Sequence, residues 1–329
     1  MSFEARFAER LDALSRAGLR RVLRPAEGRS VTSNDYLGLS RDARVQDAVR
    51  AWADGEWATG STGSRLLSGH GPALDALEAQ VAHWQGAEAA LLYGSGFQAN
   101  QGLLGTILEP GDVVISDQLN HASLIDAMRL SRAERRIVPH RDVDAVARAI
   151  DRDRPTVVVV ESVYSMDGDL APLAELASVC VDRGSALVVD EAHATGMYGP
   201  EGAGRVAEAG IRDAVLATVH PCGKALASAG AFVVGSTALR DLQLQRARSL
   251  IYSTAPPPWL VATLTAVLER VRTDEPLRRR PRVLAERLRR RLAGVARVGG
   301  DDSPIVPVIV GSVEAAEHLA DGLRARGWD

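Results

Sequence analysis

Lysine is nearly absent from this chain of 329 residues: Lys and Arg together number 39, and Lys224 is the only lysine among them. Cysteine is scarce too. Cys180 and Cys222, far apart in the sequence, give neither a disulfide framework nor a metal-ligand spacing, and so suit a reducing cytosol. No stretch approaches 18 uninterrupted apolar residues, which excludes a hydrophobic membrane span. The start, "MSFEARFAERLDALSRAGLRR", is an amphipathic, acid-containing helix without the apolar segment of a signal peptide. These features point to the cytoplasm. No excess of positive charge is present either: the formal net charge is −3, and the arginine-rich stretches alternate with acids, as solvated helix faces do, which argues against nucleic acid as a partner.

The lone lysine lies in "HPCGKALASAG", residues 220–230. A bias toward arginine could leave one stray lysine on any surface. A guanidinium, however, stays protonated and cannot act as an amine nucleophile, whereas a desolvated lysine can lose its proton and form an imine. A lysine in a small-residue segment between two apolar runs is therefore a candidate for imine chemistry.

Seven short apolar runs follow one another between residues 88 and 236: "AALLYGS", "DVVISD", "RRIVPH", "TVVVVES", "ALVVDEAH", "AVLATVH" and "GAFVVGS". Several are continuous rather than alternating, as strands buried on both faces are. Helical stretches such as "NQGLLGTIL", "ASLIDAMRLS", "DVDAVARAI" and "PLAELASVCVDRG" lie between them. The pattern predicts an α/β domain around a largely parallel sheet. Three segments are expected: an N-terminal arm over 1–45, the large domain over 46–272, and a smaller α+β domain over 273–329. The last contains "SPIVPVIVGS" as a strand and "VEAAEHLADGLRARG" as a helix, and would need more strands than lie before Asp329.

In open α/β sheets ligands bind beyond the carboxyl ends of the strands. There the sequence places "GSGFQAN", whose Gly96 and Phe97 open a helix able to hold a phosphate, and "QLNHASL", with His121 near a helix start. "VYSMDGD" carries Ser165, and "ALVVDEAHATG" ends a strand with Asp190 and adds His193. No third ligand of suitable spacing supports a metal at the Asp/His pair, and "GSTGS" lacks the preceding strand of a hydrolase nucleophile elbow. Pyridoxal phosphate (PLP) accounts for the set together: it needs an imine-forming lysine, an anion site at a helix start and a carboxylate on its pyridine nitrogen.

With "SNDYLGLS", "GSTGSRLLSGHGPALDALEAQVAHW", "YGSGFQANQG", "DQLNHASLIDAMRLS", "ESVYSMDGDLAPL", "VDEAHATGMYGPEGAG", "HPCGKALASAG" and "IYSTAPPP" in that order, the chain resembles the α-oxoamine synthases, PLP enzymes that condense an amino acid with an acyl thioester. The resemblance is greatest to the members that serve biotin synthesis. It implies a fold-type I transferase, like aspartate aminotransferase, with a mostly parallel seven-stranded sheet and a homodimer with a shared site. It also implies a decarboxylative condensation of L-alanine with pimeloyl-CoA or a pimeloyl carrier protein. By resemblance, Lys224 is the Schiff-base residue and acid/base, Asp190 pairs with the pyridine nitrogen, His193 with the ring oxygen, and His121 stacks on the ring. Gly96, Phe97 and a neighbouring subunit's Thr254 hold the phosphate, Ser165 lies close to the ring, Asn34 meets the amino acid's carboxylate, and Arg20 stands near the acyl entrance. Two departures stand out. Pro221 occupies the place of a phosphate-binding hydroxyl residue, and Ala227 that of a glycine. The family's chains also continue past the position of Asp329 with a segment that carries a carboxylate-clamping arginine. A glycine-using ligase, a 5-aminolevulinate synthase type, or a catalytically impaired relative are the alternatives.

Overall fold

The computed structural model describes residues 1–25, 27–55 and 58–329. The seven apolar runs all become strands: β1 (Ala89–Tyr93), β2 (Val113–Asp117), β3 (Glu134–Val138), β4 (Thr156–Glu161), β5 (Ala186–Asp190), β6 (Ala217–Pro221) and β7 (Ala231–Gly235). They form one sheet in the order β1-β7-β6-β5-β4-β2-β3. β7 runs antiparallel to both of its neighbours, β1 and β6, and the remaining pairs are parallel.

Burial on both faces explains why the runs do not alternate. Leu91, Val159, Val188, Val219 and Val233 pack with Leu103, Leu104 and Leu124 of the helices Gly96–Ile107 and Ala122–Ser131 on one side. On the other, Val158, Val160, Leu187 and Val189 meet Leu173, Leu176 and Cys180 of the helix Leu173–Arg183. Leu92, Phe232 and Val234 pack with the helices Pro72–Gln85 and Pro258–Thr273. The edge strand β3 carries exposed Glu134 and Arg135, charges that discourage a further strand from adding there.

The chain separates into two compact units whose boundaries differ from those expected. One comprises Asn34–Arg291 with Gly299–Pro307, the other Met1–Ser33, Leu292–Val298 and Val308–Asp329. Residues 34–45 belong to the larger unit because Leu37, Leu39 and Val45 enter its core. The helix Glu275–Leu292 is tied to the same unit through buried Arg278, which donates to the carbonyls of Val271 (2.5 Å) and Arg272 (3.1 Å). Gly299–Pro307 joins it as well: Asp301 N–H donates to the Gly168 carbonyl (3.1 Å), and the Ser303 hydroxyl to the same oxygen (2.5 Å).

In the smaller unit the helices Phe3–Arg16 and Val313–Arg324 accompany β8 (Arg297–Val298) and its antiparallel partner β9 (Val308–Ile309). Its first and last segments meet as Val31 N–H donates to the Asp329 carbonyl (2.6 Å) and Asp329 N–H to that of Arg29 (2.9 Å). The strand expected across "SPIVPVIVGS" shrinks to Val308–Ile309, because Pro304 and Pro307 cannot donate to a ladder. Among the described residues no helix is long and apolar enough to cross a membrane.

Candidate active site

The carboxyl ends of β1, β2, β4, β5 and β6 converge on a cavity of about 430 Å³, lined among others by Asn34, Gly96, Phe97, His121, Asp190 and Lys224. Each of these six was expected from the sequence, and all lie in the larger unit.

Lys224 sits in the tight connection between β6 and β7. Cys222 N–H donates to the Gly230 carbonyl (2.9 Å), Ser228 N–H to that of Cys222 (2.9 Å), and Ala227 N–H to that of Lys224 itself (2.8 Å). This turn puts Ala227 at φ 46°, in the left-handed region that favours glycine, at a cost of roughly 1–2 kcal/mol. That is the backbone reason for the glycine expected there. The Lys224 amine lies 2.8 Å from His193 Nε2. Burial lowers its pKa below that of a free lysine, although the charges of Asp190 and Glu161 work the other way. His193, almost wholly buried, is held unprotonated: burial brings its pKa down to about 3, with the nearby charges of Lys224 and His121 adding to the effect.

Asp190 closes β5 and is 3% exposed. Its Oδ1 accepts from Ala192 N–H (2.9 Å) and its Oδ2 from Asn100 Nδ2 (2.9 Å). Asn100 also donates to the Ser123 hydroxyl (2.9 Å), which lies 2.8 Å from His121 Nδ1. A continuous hydrogen-bonded path thus joins the carboxylate to the imidazole. His121 caps the helix Ala122–Ser131 and leaves its own ring exposed. At the third corner, the helix Gly96–Ile107 begins with Ser95 as its cap, and neither Gly96 N–H nor Phe97 N–H has an acceptor among the described residues. Two free donors at a helix start form an anion site. Pro221 stands against this turn: a Cβ built on Gly96 would lie 3.0 Å from the proline Cγ.

Three residues were not foreseen. Glu161, at the end of β4, is 2% exposed, and its Oε1 accepts the backbone N–H of His121 (2.5 Å). Burial, reinforced by the charge of Asp190, pushes its pKa up to about 8. Asn100 is buried, its Oδ1 without a partner among the described residues. Tyr36 donates to Asn34 Oδ1 at 3.0 Å and lies 2.7 Å from His193 Nδ1. A buried acid ending an apolar strand, and an amide four places into a helix that starts at a glycine turn, were the available signals for Glu161 and Asn100.

Other expected residues stand apart from the cavity lining. Ser165 is half-buried in the turn after Tyr164, and exposed Thr254 bridges to Ser64; neither lines the cavity. His193 lies behind Lys224 rather than on the wall. Arg20 belongs to the smaller unit, where it is exposed and donates to the Ser15 hydroxyl (3.4 Å).

Residues 30–327 match the family described as aminotransferase class I and II. The chain belongs to that family. It is 44% identical to an 8-amino-7-oxononanoate synthase of Anaeromyxobacter dehalogenans, over 97% of this chain and 84% of that protein. Its fold superposes on a serine palmitoyltransferase of S. paucimobilis solved with a bound PLP–myriocin aldimine (TM-score 0.91, 26% identity, covering 100% of this chain and 91% of that one). It likewise superposes on the 8-amino-7-oxononanoate synthase of Francisella tularensis (TM-score 0.79, 27% identity, 92% and 87% covered). The resemblance to α-oxoamine synthases and the fold-type I architecture are borne out by these relatives.

Proposed function

We propose that the chain is an 8-amino-7-oxononanoate synthase that uses PLP to condense L-alanine with a pimeloyl thioester, carried on CoA or on a carrier protein. The observation that carries this reading is the placement of the only lysine, desolvated and beside an unprotonated imidazole, across one cavity from a fixed carboxylate and an open helix start.

The residues fit the cofactor group by group. The free N–H groups of Gly96 and Phe97 suit its phosphate, and Asp190, held by two donors, suits a protonated pyridine nitrogen. His121, exposed at the cavity, suits a ring face, and Lys224 suits its aldehyde carbon. Thr254 is assigned to the phosphate of a neighbouring subunit's site in a homodimer, and Ser165 to a place close to the ring. When bound, the cofactor supplies an electron sink for charge that develops at the amino acid's Cα.

The protein's part is to bind, orient and move protons. Asn34 orients the amino acid's carboxylate. Lys224 Nζ takes the Cα proton and later returns one. Asp190, its geometry fixed in advance by Asn100 and Ala192, needs no reorganisation to stabilise that charge. Overall, a carbon–carbon bond forms between alanine Cα and the thioester carbonyl carbon, the thiol leaves, and the alanine carboxyl departs as carbon dioxide.

The test is to incubate the PLP-loaded protein with alanine or glycine against pimeloyl-, acetyl- or succinyl-CoA, following thiol release and product mass. Thiol release with alanine and pimeloyl-CoA, yielding the mass of 8-amino-7-oxononanoate, is the expected result. Turnover confined to glycine would assign the chain to a different α-oxoamine synthase. Cofactor binding without turnover on any pair would make it an inactive relative.

A further inference from the structure

The cavity side of Lys224 is accounted for by that reading, but its other side is not. Behind the amine, His193 Nε2 lies 2.8 Å away, the Tyr36 hydroxyl lies 2.7 Å from His193 Nδ1, and Asn34 Oδ1 lies 3.0 Å from the same hydroxyl. The chain of contacts therefore runs from the lysine, through an imidazole and a phenol, to a residue of the cavity wall.

A neutral imidazole carries one proton, so it donates at one nitrogen and accepts at the other. When Nζ is an ammonium it donates to Nε2. The ring proton then sits on Nδ1 and is donated to the tyrosine oxygen, while the tyrosine hydrogen points to Asn34 Oδ1. When Nζ is an amine, Nε2–H donates to its lone pair and Nδ1 accepts from the tyrosine hydroxyl. Every hydrogen bond of the chain on either side of His193 is kept in both states. Only the tautomer and the direction of the phenol change, and the proton lost from Nζ goes to water.

We propose that Tyr36 is a positioning residue for Lys224: by reversing its hydroxyl it lets His193 change tautomer, so that the amine keeps a partner whether or not it holds a proton. The proposal rests on Lys224 being the reactive amine of the function given above. The ionisable groups around the amine are Asp190 and Glu161, which favour its charge, and His193 and His121. Burial holds the Tyr36 phenol protonated far above neutrality, so the residue works by rotation and not by ionisation.

Tyr36→Phe removes this freedom. With no hydroxyl, Nδ1–H would be a buried donor without an acceptor, which is tolerated less well than a bare ring nitrogen. The ring proton then stays on Nε2 and faces Lys224, which disfavours the ammonium. The apparent pKa of the Lys224 amine should fall by about 1, a tenfold change in its protonated fraction.

Competitive acetylation by acetic anhydride across pH, read by mass spectrometry, measures this without any cofactor, because Lys224 and the N-terminus are the only primary amines. In a His193→Leu background Tyr36→Phe should leave the Lys224 curve unmoved, since the link is already cut. An unchanged or raised curve in folded Tyr36→Phe protein, or the same fall in both backgrounds, would overturn the proposal. In the unsubstituted protein, ¹⁵N shifts of the His193 ring should pass from the Nδ1–H to the Nε2–H pattern at the midpoint of the amine titration; a fixed tautomer would overturn it too. Failure of PLP to label Lys224 would instead count against the cofactor reading alone.

Discussion

Replacing Glu161 by glutamine should remove a proton-binding group from the folded protein while keeping a hydrogen bond, because the glutamine Oε1 can still accept from His121 N–H. In the native protein burial and the Asp190 charge raise the Glu161 pKa from 4.5 to about 8. The folded state therefore holds a proton that the unfolded chain has released, and stability falls with pH across that window. The contribution is complete below pH 4.5 and is lost progressively as pH rises toward 8. Between pH 4.5 and 7 the loss comes to about 3 kcal/mol, at ~1.36 kcal/mol per pH unit. Glu161→Gln escapes it. Urea unfolding of both proteins without cofactor, from pH 4.5 to 7.5, should show nearly equal stability at the acid end and an advantage of about 3 kcal/mol for the variant at pH 7. Glu161→Ala, which also loses the acceptor for His121 N–H, should be weaker than Glu161→Gln throughout, by about 1–3 kcal/mol. Parallel pH profiles for the native and glutamine proteins would refute the reasoning, since they would mean that Glu161 is ionised in the folded state.

Other substitutions probe other parts of the site. Pro221→Thr restores a hydroxyl beside the Gly96 turn and should tighten PLP binding about tenfold, as one added charge-assisted hydrogen bond would; absorbance titration measures it, and unchanged affinity would show that the hydroxyl is not missed. Asn100→Leu takes a donor from Asp190 and should cost about 2 kcal/mol in urea unfolding, with a neutral outcome counting against a role for Asn100 in fixing that carboxylate. His140 lies between Asp117 (Nδ1 to Oδ1, 2.9 Å) and Asp169 (Nε2 to Oδ2, 2.8 Å). Burial opposes its charge, but the two carboxylates overcome that and raise its pKa above 6.5. Its stabilisation is complete below that pH and is lost as pH rises through the raised value. His140→Gln should therefore remove the fall in stability that sets in as pH rises above 6.5, and a fall that persists in the variant would place its origin elsewhere.

Most of the sheet was legible because burial on both faces leaves a trace, the unbroken apolar run; the exposed edge strand β3 carries it least. Asp190 was legible because the apolar run of β5 stops at it. Tyr36 was not. Its partner His193 is 157 positions away, and nothing in "SNDYLGLS" says which element the phenol will meet. Asn100 and Glu161 share this difficulty: a buried polar group looks ordinary in sequence until its partners, Asp190 and the His121 backbone, are brought beside it. The unit boundaries were misplaced for a related reason. Hydrogen bonds from Asp301 and Ser303 to Gly168 tie a late segment to the large unit, and backbone pairing at Arg29 joins the two ends of the chain.

The central claim is that Lys224 is the amine that holds the cofactor. The protein should be mixed with PLP, reduced with borohydride, digested and mapped by mass spectrometry, with only Lys224 and the N-terminus able to take the label. One pyridoxyl group per chain, on Lys224, is the expected result, lost when that residue is replaced by alanine. Folded protein labelled only at the N-terminus, or not at all, would contradict it.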